Sequence, residues 1–264
     1  MAFTLATWNV NSLKVRLAHL LDWLTAQRTD VVCLQETKLT DEAFPLEAIA
    51  AAGYAAHYAG QKTYNGVAIL SRRDTVSGVE AVQVNLPNFA DEQRRLIAAT
   101  LSTPLGALRV VNGYFPNGQA VGSDKYAYKL AWLAALTEWL KGEVAAHAQL
   151  ALLGDYNIAP EPRDVHDPAA WEGQVLCSEP ERAAFRALVA LGLRDSFRLF
   201  AQPERSYTWW DYRNLAFRRK MGLRIDHILV SEALAARVQS VAIDVEPRRR
   251  EQPSDHAPVI ATLA

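Results

Sequence analysis

The 264-residue sequence contains only two cysteines, Cys33 and Cys177, and this scarcity excludes a fold held together by a disulfide framework. Cys33 lies in a strand-like apolar run and Cys177 in a polar loop, so we expect reduced thiols and no cysteine nucleophile. No apolar run reaches the ~20 residues that a membrane-spanning helix needs, and the amino terminus lacks the basic and apolar segments of a secretory signal. We therefore expect a cytoplasmic protein that does not contact a membrane.

The sequence also lacks an excess of charge of either sign. Its formal net charge is −1, so there is no overall attraction to a polyanion, and nucleic acid would have to be bound by local basic patches. Half of the residues are hydrophobic and 22% are charged, which is enough apolar material for a large buried core. No fixed-period repeat, low-complexity tract or flexible linker interrupts the chain.

The most informative stretch is 150–157, an apolar run that stops at Gly154 and then presents Asp155 and Asn157. A short apolar run bounded by a turn signal predicts a buried strand. Alternation along an extended chain would place Asp155 and Asn157 on the same side, aimed beyond the strand end. The structural alternative is that Asp155 caps a turn and Asn157 takes a left-handed conformation.

Several other strand-like runs also end in polar side chains. These strand-end residues are Asn9, Glu36, Tyr114, Asp155, Asn157, Asp226, Asp255 and His256. Carboxylates and amides without cysteine form an oxygen-ligand set, which suits Mg²⁺ or Mn²⁺ and disfavours structural zinc. Taken alone, Asp226 could equally be a satisfied core carboxylate, and the pair Asp255 and His256 could be part of a turn.

Neighbouring residues are better explained by structure than by chemistry. We predict that His227 is structural, because alternation points it away from Asp226. Trp8 and Trp210 are predicted to be core aromatics.

Many strands, with only a few of them separated by helices, indicate two packed sheets with helices outside rather than one doubly wound sheet. Ser123 is predicted to cap a long helix, and the residues on its apolar face are Tyr126, Leu130, Leu133, Leu140 and Val144. Because the polar strand ends come from residue 9 through residue 256, no half of the chain could assemble them. We therefore expect a single domain over residues 1–264.

Six short segments together resemble, in order, the exonuclease III type of AP endonuclease within the endonuclease/exonuclease/phosphatase superfamily. They are residues 7–12, 34–38, 112–117, 154–157, 224–227 and 253–258, and they span nearly the whole chain. The resemblance implies a DNase I-like, four-layer α/β/β/α sandwich. It also implies Mg²⁺-dependent hydrolysis of DNA in base excision repair, 5′ to abasic sites, at 3′ blocking groups and 3′ phosphates, or by 3′-to-5′ exonuclease action.

The resemblance assigns roles to the strand-end residues. Glu36 is similar to the family's principal Mg²⁺ ligand, with Asn9 and Asp255 nearby. Asp155 would activate or orient the attacking water, or ligate a second ion, and Asn157 would donate to that water or to the pentacovalent phosphorane.

The remaining catalytic positions concern the phosphate and the leaving group. Tyr114 would hydrogen-bond the phosphate or help to supply the proton that the 3′ leaving oxygen needs. His256 would contact the scissile phosphate, and Asp226 would hold its ring in the charged form. A general-base role for His256 is the second choice.

Contacts with double-stranded DNA are implied at four further positions. Trp209, Leu223 and Ile225 match positions that line the family's pocket for a flipped-out abasic deoxyribose, and Tyr64 matches a position that touches DNA beside the lesion. Leu223 replaces an aromatic found in some relatives, which puts abasic-site preference in doubt. Whether Leu176 and the 159–180 excursion admit or obstruct the sugar is left open.

The segment 213–224 is rich in basic residues and has no acidic ones. Its basic residues are Arg213, Arg218, Arg219, Lys220 and Arg224, and they predict contacts with backbone phosphates, with a solvated loop as the alternative.

We expect a monomer that acts on DNA with abasic sites or 3′ ends. The competing functions are a phosphodiesterase acting on non-DNA phosphate esters and a non-catalytic nucleic-acid-binding module.

Overall fold

The computed structural model describes residues 2–264. Its strands are β1 (Phe3–Asn9), β2 (Val31–Gln35), β3 (Tyr54–Ala59), β4 (Val67–Arg72), β5 (Gly78–Val84), β6 (Leu96–Thr103), β7 (Gly106–Tyr114), β8 (Leu150–Asp155), β9 (Leu193–Asp195), β10 (Trp209–Trp210), β11 (Gly222–Leu223), β12 (Asp226–Ser231), β13 (Val238–Ile243) and β14 (Val259–Leu263). Its α-helices are α1 (Leu13–Gln27), α2 (Leu46–Ala51), α3 (Asp124–Ala146), α4 (Pro168–Trp171), α5 (Glu179–Ala190) and α6 (Glu232–Ala235).

The strands form two large mixed sheets. The first has the order β13-β14-β1-β2-β4-β3 and the second the order β5-β6-β7-β8-β12-β9. In each sheet one central pair is parallel, β1 with β2 and β7 with β8, and the other pairs are antiparallel. A short ribbon of β10 and β11 lies outside both sheets.

The two sheets pack face to face over a continuous apolar core. Because side chains alternate along a strand, each sheet has one face toward this core and one face outward. Leu5 of β1 and Leu153 of β8 point between the sheets, whereas Trp8 and Leu152 point outward. The outward face of the first sheet is covered by α1, and that of the second by α3 and α5. The predicted four-layer α/β/β/α architecture is confirmed.

The long helix α3 begins where the sequence predicted, and the Ser123 hydroxyl accepts a hydrogen bond from the backbone N–H of Tyr126. Its buried face differs from the prediction in one respect. Lys129 is fully buried, while Leu130 and Val144 are only partly buried. A charged side chain inside an apolar stripe requires partners, and these are described below.

Two local sequence predictions concern burial. Cys177, predicted in a polar loop, is buried beside Leu176, because the 159–180 excursion packs on its own small apolar cluster. Trp8 and Trp210 are buried, as predicted.

Within residues 2–264, no helix combines the length and apolar character needed to cross a bilayer.

Candidate active site

Because side chains alternate along each strand, polar side chains at several strand ends point into one end of the space between the sheets. In β1, Leu5 faces the core between the sheets, and Asn9, four residues later at the end of the strand, points to the same side. In β8, Leu153 faces the same core and Asp155 follows two residues later. The inward-facing residues at these ends are Asn9, Tyr114, Asp155 and Asp226.

Asn9 joins the two sheets. Its Nδ2 donates to Glu36 Oε1 at 2.8 Å, just after β2, and to Asp155 Oδ2 at 2.9 Å, at the end of β8. Its Oδ1 accepts from the backbone N–H of Asn11 at 2.9 Å. The amide nitrogen of Asn9, rather than the oxygen that could ligate a cation, therefore faces the two carboxylates.

Glu36, Asp155 and His256 form a compact group. One potential ligand atom from each lies within 4.8 Å of the others. Glu36 has a φ of 52°, a left-handed conformation that is unfavourable for a residue with a Cβ and that often occurs at functional sites. The sequence-predicted residues from the two sheets thus meet at one point.

Asp255 lies at the margin of this group. Its two oxygens accept hydrogen bonds from Asn11 Nδ2 and from Trp209 Nε1, each at 2.9 Å. Its predicted role as a metal ligand therefore stays a prediction.

His256 is held by a carboxylate on each side. Its Nδ1 lies 2.9 Å from Asp226 Oδ2, and its Nε2 lies 3.7 Å from Asp155 Oδ2. Burial by itself would lower the pKa of His256, but the negative charges of Asp226 and Asp155 outweigh burial and raise the pKa to about 10. The ring is therefore an imidazolium at neutral pH.

Two other groups have strongly shifted pKa values. Burial raises the pKa of Asp155 to about 7, with the charge of Asp226 adding to the effect and that of His256 opposing it. Burial, reinforced by the carboxylates of Glu36 and Asp155, raises the pKa of Tyr114 well above its usual value. Tyr114 therefore carries its phenolic proton at any physiological pH.

Asn157 is fixed by bonds at both ends of its side chain. Its Nδ2 donates to the carbonyl oxygen of Phe115 at 3.0 Å, and its Oδ1 accepts from Asn117 Nδ2 at 3.1 Å. Its backbone N–H donates to Asp155 Oδ1 at 2.9 Å, and its φ is 49°. The chain after β8 is therefore not extended, and the alternative is the one observed: Asp155 caps a turn and Asn157 is left-handed. The turn itself keeps the carboxylate of Asp155 and the amide of Asn157 side by side.

A cavity of about 820 Å³ opens beside this group. Glu36 and Tyr114 form part of its wall, and Tyr64 stands at its rim with 68% of its surface exposed. The guanidinium of Arg95 lies 4.9 Å from the centre of the Tyr114 ring and also lines the cavity. The cavity wall therefore includes both a guanidinium group and a carboxylate.

The predicted sugar-pocket residues are less accessible. Leu223 and Ile225 are buried in an apolar cluster with Leu176 and Val165, and only Trp209 is partly exposed. Leu176 has a φ of 74° and is nearly fully buried, so it fills the space beside Leu223. In this structure the two aliphatic residues do not line an open surface.

The predicted phosphate contact is wrong for Arg224. Its guanidinium is buried and is bonded to Asp164 Oδ1 at 2.7 Å and to Asp195 Oδ2 at 2.8 Å, and it also faces His227 Nδ1 at 3.0 Å. Asp164 and Asp195 lie 60 and 29 residues from Arg224 in sequence, so the basic segment alone could not reveal these carboxylate partners. The remaining basic side chains of the segment are exposed: Arg213, Arg218, Arg219 and Lys220.

His227 is structural, as predicted. It lies on the outward face of β12, and its Nε2 lies 2.9 Å from the carbonyl oxygen of Ile158. Burial, together with the charge of Arg224, lowers the pKa of His227 to about 4, so the ring is neutral.

Sequence reasoning missed three polar side chains at the site. Lys38 Nζ lies 2.8 Å from Glu36 Oε2, Arg95 stacks on Tyr114, and Asn117 bonds to Asn157. Lys38 and Asn117 could have been found, because they lie in the family-like segments 34–38 and 112–117, close to the predicted site residues Glu36 and Tyr114. Arg95 gives no such signal, since it precedes β6 and reaches Tyr114 only through sheet pairing.

Comparison with known proteins agrees with this geometry. The model of the Endonuclease/Exonuclease/phosphatase family matches residues 6–256. This chain belongs to that family. The match extends from β1 to His256, so every predicted catalytic and metal residue of the chain falls inside it.

Individual relatives in this family are similar over nearly their full length. The exodeoxyribonuclease III of Haemophilus influenzae is 37% identical over 264 residues, covering 97% of each chain. The structure of the 3′ phosphatase NExo from Neisseria, bound to a product DNA hairpin, is 47% identical with a TM-score of 0.95, covering 99% of each chain. An AP endonuclease from Archaeoglobus fulgidus is 37% identical with a TM-score of 0.92, covering 99% of each chain.

Proposed function

We propose that this protein is a nuclease of DNA repair that hydrolyses phosphate esters of DNA with the help of a divalent metal ion. The observation that carries the proposal is the meeting of Glu36, Asp155 and the charged His256 beside a cavity whose wall includes Glu36. Relatives named as exodeoxyribonucleases, a 3′ phosphatase and an AP endonuclease support DNA as the substrate.

The donor set fits a hard divalent cation. His256 is held protonated by Asp226, so its ring acts as a cation, and the available donors are the oxygens of Glu36 and Asp155. Oxygen donors suit Mg²⁺, with Mn²⁺ as a substitute. Glu36 would be the main ligand, with Asn9 and Asp255 beside it. When bound, the ion neutralises phosphate charge and stabilises the developing leaving oxyanion.

The chain's own residues supply charge and hydrogen bonds to the phosphate. The imidazolium of His256 donates from Nε2 to a non-bridging oxygen, and the amide of Asn157 donates to another. Asp226 keeps the His256 ring charged and fixes its orientation. The negative charge that grows on the phosphorane is thereby met by groups already in place.

Proton transfer uses Asp155 and Tyr114. The carboxylate of Asp155 accepts a proton from the attacking water, whose oxygen forms the new bond to phosphorus. The bond from phosphorus to the 3′ oxygen of the leaving strand breaks, and the Tyr114 hydroxyl hydrogen-bonds to that oxygen and helps to bring in its proton.

We propose 3′ ends as the main substrates, with incision 5′ to an abasic site as a slower activity. A 3′ end needs only the groove beside Glu36, whereas an extruded deoxyribose needs room where Leu176 and Leu223 are packed. Tyr64 and Trp209 would contact the DNA on either side. Because all groups of the site come from one chain, we propose a monomer as the active unit.

The test uses three end-labelled duplexes that carry a 3′-phosphate, a recessed 3′ end or an abasic analogue. Purified protein with Mg²⁺ should remove the 3′-phosphate fastest and should lose every activity together in EDTA. Cleavage of the abasic duplex at a rate equal to or above that of the 3′-phosphate would contradict the proposed preference. Hydrolysis of none of the three would contradict the proposed function.

A further inference from the structure

Lys129 is a fully buried lysine on the inner face of α3, at a position where helical spacing would place an apolar residue. Its ammonium group donates to the carbonyl oxygen of Asn157 at 2.7 Å and to that of Asn117 at 3.2 Å. It also forms an ion pair with Glu181, which is equally buried. These three partners use all three N–H donors of the ammonium group.

Two of these partners belong to the candidate active site. Asn157 follows the strand end that carries Asp155, and Asn117 holds the Asn157 side chain through a hydrogen bond of 3.1 Å. The left-handed backbone of Asn157 turns its carbonyl oxygen inward, where Lys129 is its only side-chain donor among the described residues. One ammonium group thus binds the backbone carbonyl oxygens of both asparagines. We refer to Lys129 with these two carbonyl groups as the clamp.

The third partner links the clamp to the 159–180 excursion. Glu181 Oε1 accepts from the backbone N–H of Leu176 at 3.0 Å, and its Oε2 accepts from the backbone N–H of Ser178 at 3.1 Å. The same carboxylate therefore fixes the segment that places Leu176 beside Leu223. A buried charge pair of this kind costs desolvation energy and is weak evidence for a role in stability alone.

We propose that Lys129 is a positioning residue for the reaction, which holds the amide of Asn157 toward the phosphate through the backbone carbonyl oxygens of Asn157 and Asn117. Glu181 keeps the Lys129 ammonium in place and ties it to the segment carrying Leu176. This inference rests on the proposed function for its kinetic consequence, but the clamp itself is a property of the fold.

A second ion pair on the same helix, with a buried arginine and a partly buried glutamate, provides a control. Arg109 in β7 pairs with Glu143 near the other end of α3, with Nε 2.6 Å from Oε2, and its other bonds go to Ala81 and Thr100. The control pair joins α3 to β7, whereas the pair of Lys129 and Glu181 joins α3 to α5. Only the latter pair also reaches the strand-end loops, through the Lys129 ammonium group. A role in stability alone would give both pairs the same phenotype.

The experiment compares Lys129→Met, the double variant Lys129→Met/Glu181→Gln and the control Arg109→Met/Glu143→Gln with the natural chain. Steady-state kinetics on the 3′-phosphate duplex are combined with thermal unfolding, and the Asn157 side-chain amide is followed by ¹⁵N NMR in metal-free protein. We expect both Lys129 variants to lower kcat by about 10- to 100-fold with KM changed less than about threefold. The double variant should recover most of the lost Tm without recovering kcat.

The NMR signal separates positioning from general loosening. The Asn157 amide resonances should shift or broaden in the Lys129 variants and stay unchanged in the control. Natural-level kcat in the double variant, or an equal loss of kcat in the control, would overturn the proposal. If the natural chain hydrolysed none of the duplexes, the proposed function would fail, whereas the amide resonances would still decide whether Lys129 holds Asn157.

Discussion

At the scale of single residues, the site is an arrangement of mutually compensating charges. Asp155 and Glu36 are brought together by the amide of Asn9, and the like charges are offset by the imidazolium of His256. Asp226 lies behind the ring and keeps it charged. The imidazolium therefore adds a buried positive charge beside Asp155, while Lys38 pairs with the other side of Glu36.

Removing the carboxylate behind His256 should change the pH dependence of activity. The pKa of His256 is raised to about 10, so its charge is present below that pH and is lost as the pH rises through it. Asp226→Asn removes the main attraction that opposes burial, so the alkaline limb of kcat/KM should move to lower pH by about 1 to 3 pH units. An alkaline limb that stays in place would show that His256 charge is not used.

Replacing Asp155, the proposed acceptor of the water proton, should strongly reduce turnover but leave DNA binding. We expect Asp155→Asn to lower kcat by about 10²- to 10⁴-fold, with DNA affinity within a few-fold of the natural chain. The measurements are single-turnover hydrolysis and fluorescence anisotropy. Asp124→Asn, a change at the start of α3 outside the site, is the control, and turnover retained in Asp155→Asn would exclude the catalytic role.

At the scale of secondary-structure elements, a buried ionic network fastens the 159–180 excursion to the second sheet. Asp164, at the end of a short 3₁₀ turn, shares Arg224 with Asp195 of β9, and Arg224 also touches His227 of β12. The excursion lies against the strand end that carries Asp226. Its position is therefore coupled to that of the site.

Breaking this network should destabilise the protein and loosen the excursion. Asp164→Ala leaves Arg224 buried with one carboxylate fewer, and we expect a loss of about 3–5 kcal/mol in the free energy of unfolding. Urea denaturation and limited proteolysis within 159–180 would measure both effects. Glu232→Ala, which removes an exposed pair with Arg194, should cost less than about 1 kcal/mol.

The neutral His227 should make stability depend on pH. Its pKa is about 4 in the folded state and 6.5 without the fold, so between these values the unfolded chain binds a proton that the folded chain does not. This contribution is present above pH 6.5 and is lost as the pH falls toward 4, by about 3 kcal/mol at most.

His227→Gln tests this assignment, because glutamine can accept from Arg224 and donate to Ile158 but does not titrate. The difference in unfolding free energy between pH 7 and pH 4.5 should be smaller in His227→Gln than in the natural chain. His166→Gln, at a partly exposed site, is the control and should leave the difference unchanged. Equal pH dependence in all three proteins would contradict the assignment.

These elements show which parts of the structure could be predicted from sequence. Strand alternation is local, so it was sufficient to predict that His227 points away from Asp226. It was not sufficient for Asn157, because the chain turns after Asp155 instead of staying extended. The ion pairs were not predictable, because Arg224 and Asp164 are 60 residues apart and Lys129 and Glu181 are 52 apart. Burial of Leu223 and Ile225 was missed for the same reason, since their partner Leu176 lies in the excursion.

At the scale of the whole molecule, the site exists only because two sheets end at the same place. The first sheet contributes Asn9 and the position of Glu36, and the second contributes Tyr114, Asp155 and Asp226. His256 enters from the segment before β14. A single domain over residues 1–264 remains our prediction, because the site draws on residues from both ends of the chain.

The central claim is that Glu36 and Asp155 lie beside one divalent ion that can reach a single phosphate. The most direct measurement is anomalous diffraction from crystals soaked in Mn²⁺, with and without a DNA 3′ end. We expect a manganese peak within roughly 2.5 Å of a Glu36 carboxylate oxygen and close to Asp155, with a phosphate oxygen near His256. A manganese peak elsewhere, or density that places Glu36 and Asp155 in separate regions, would contradict the account.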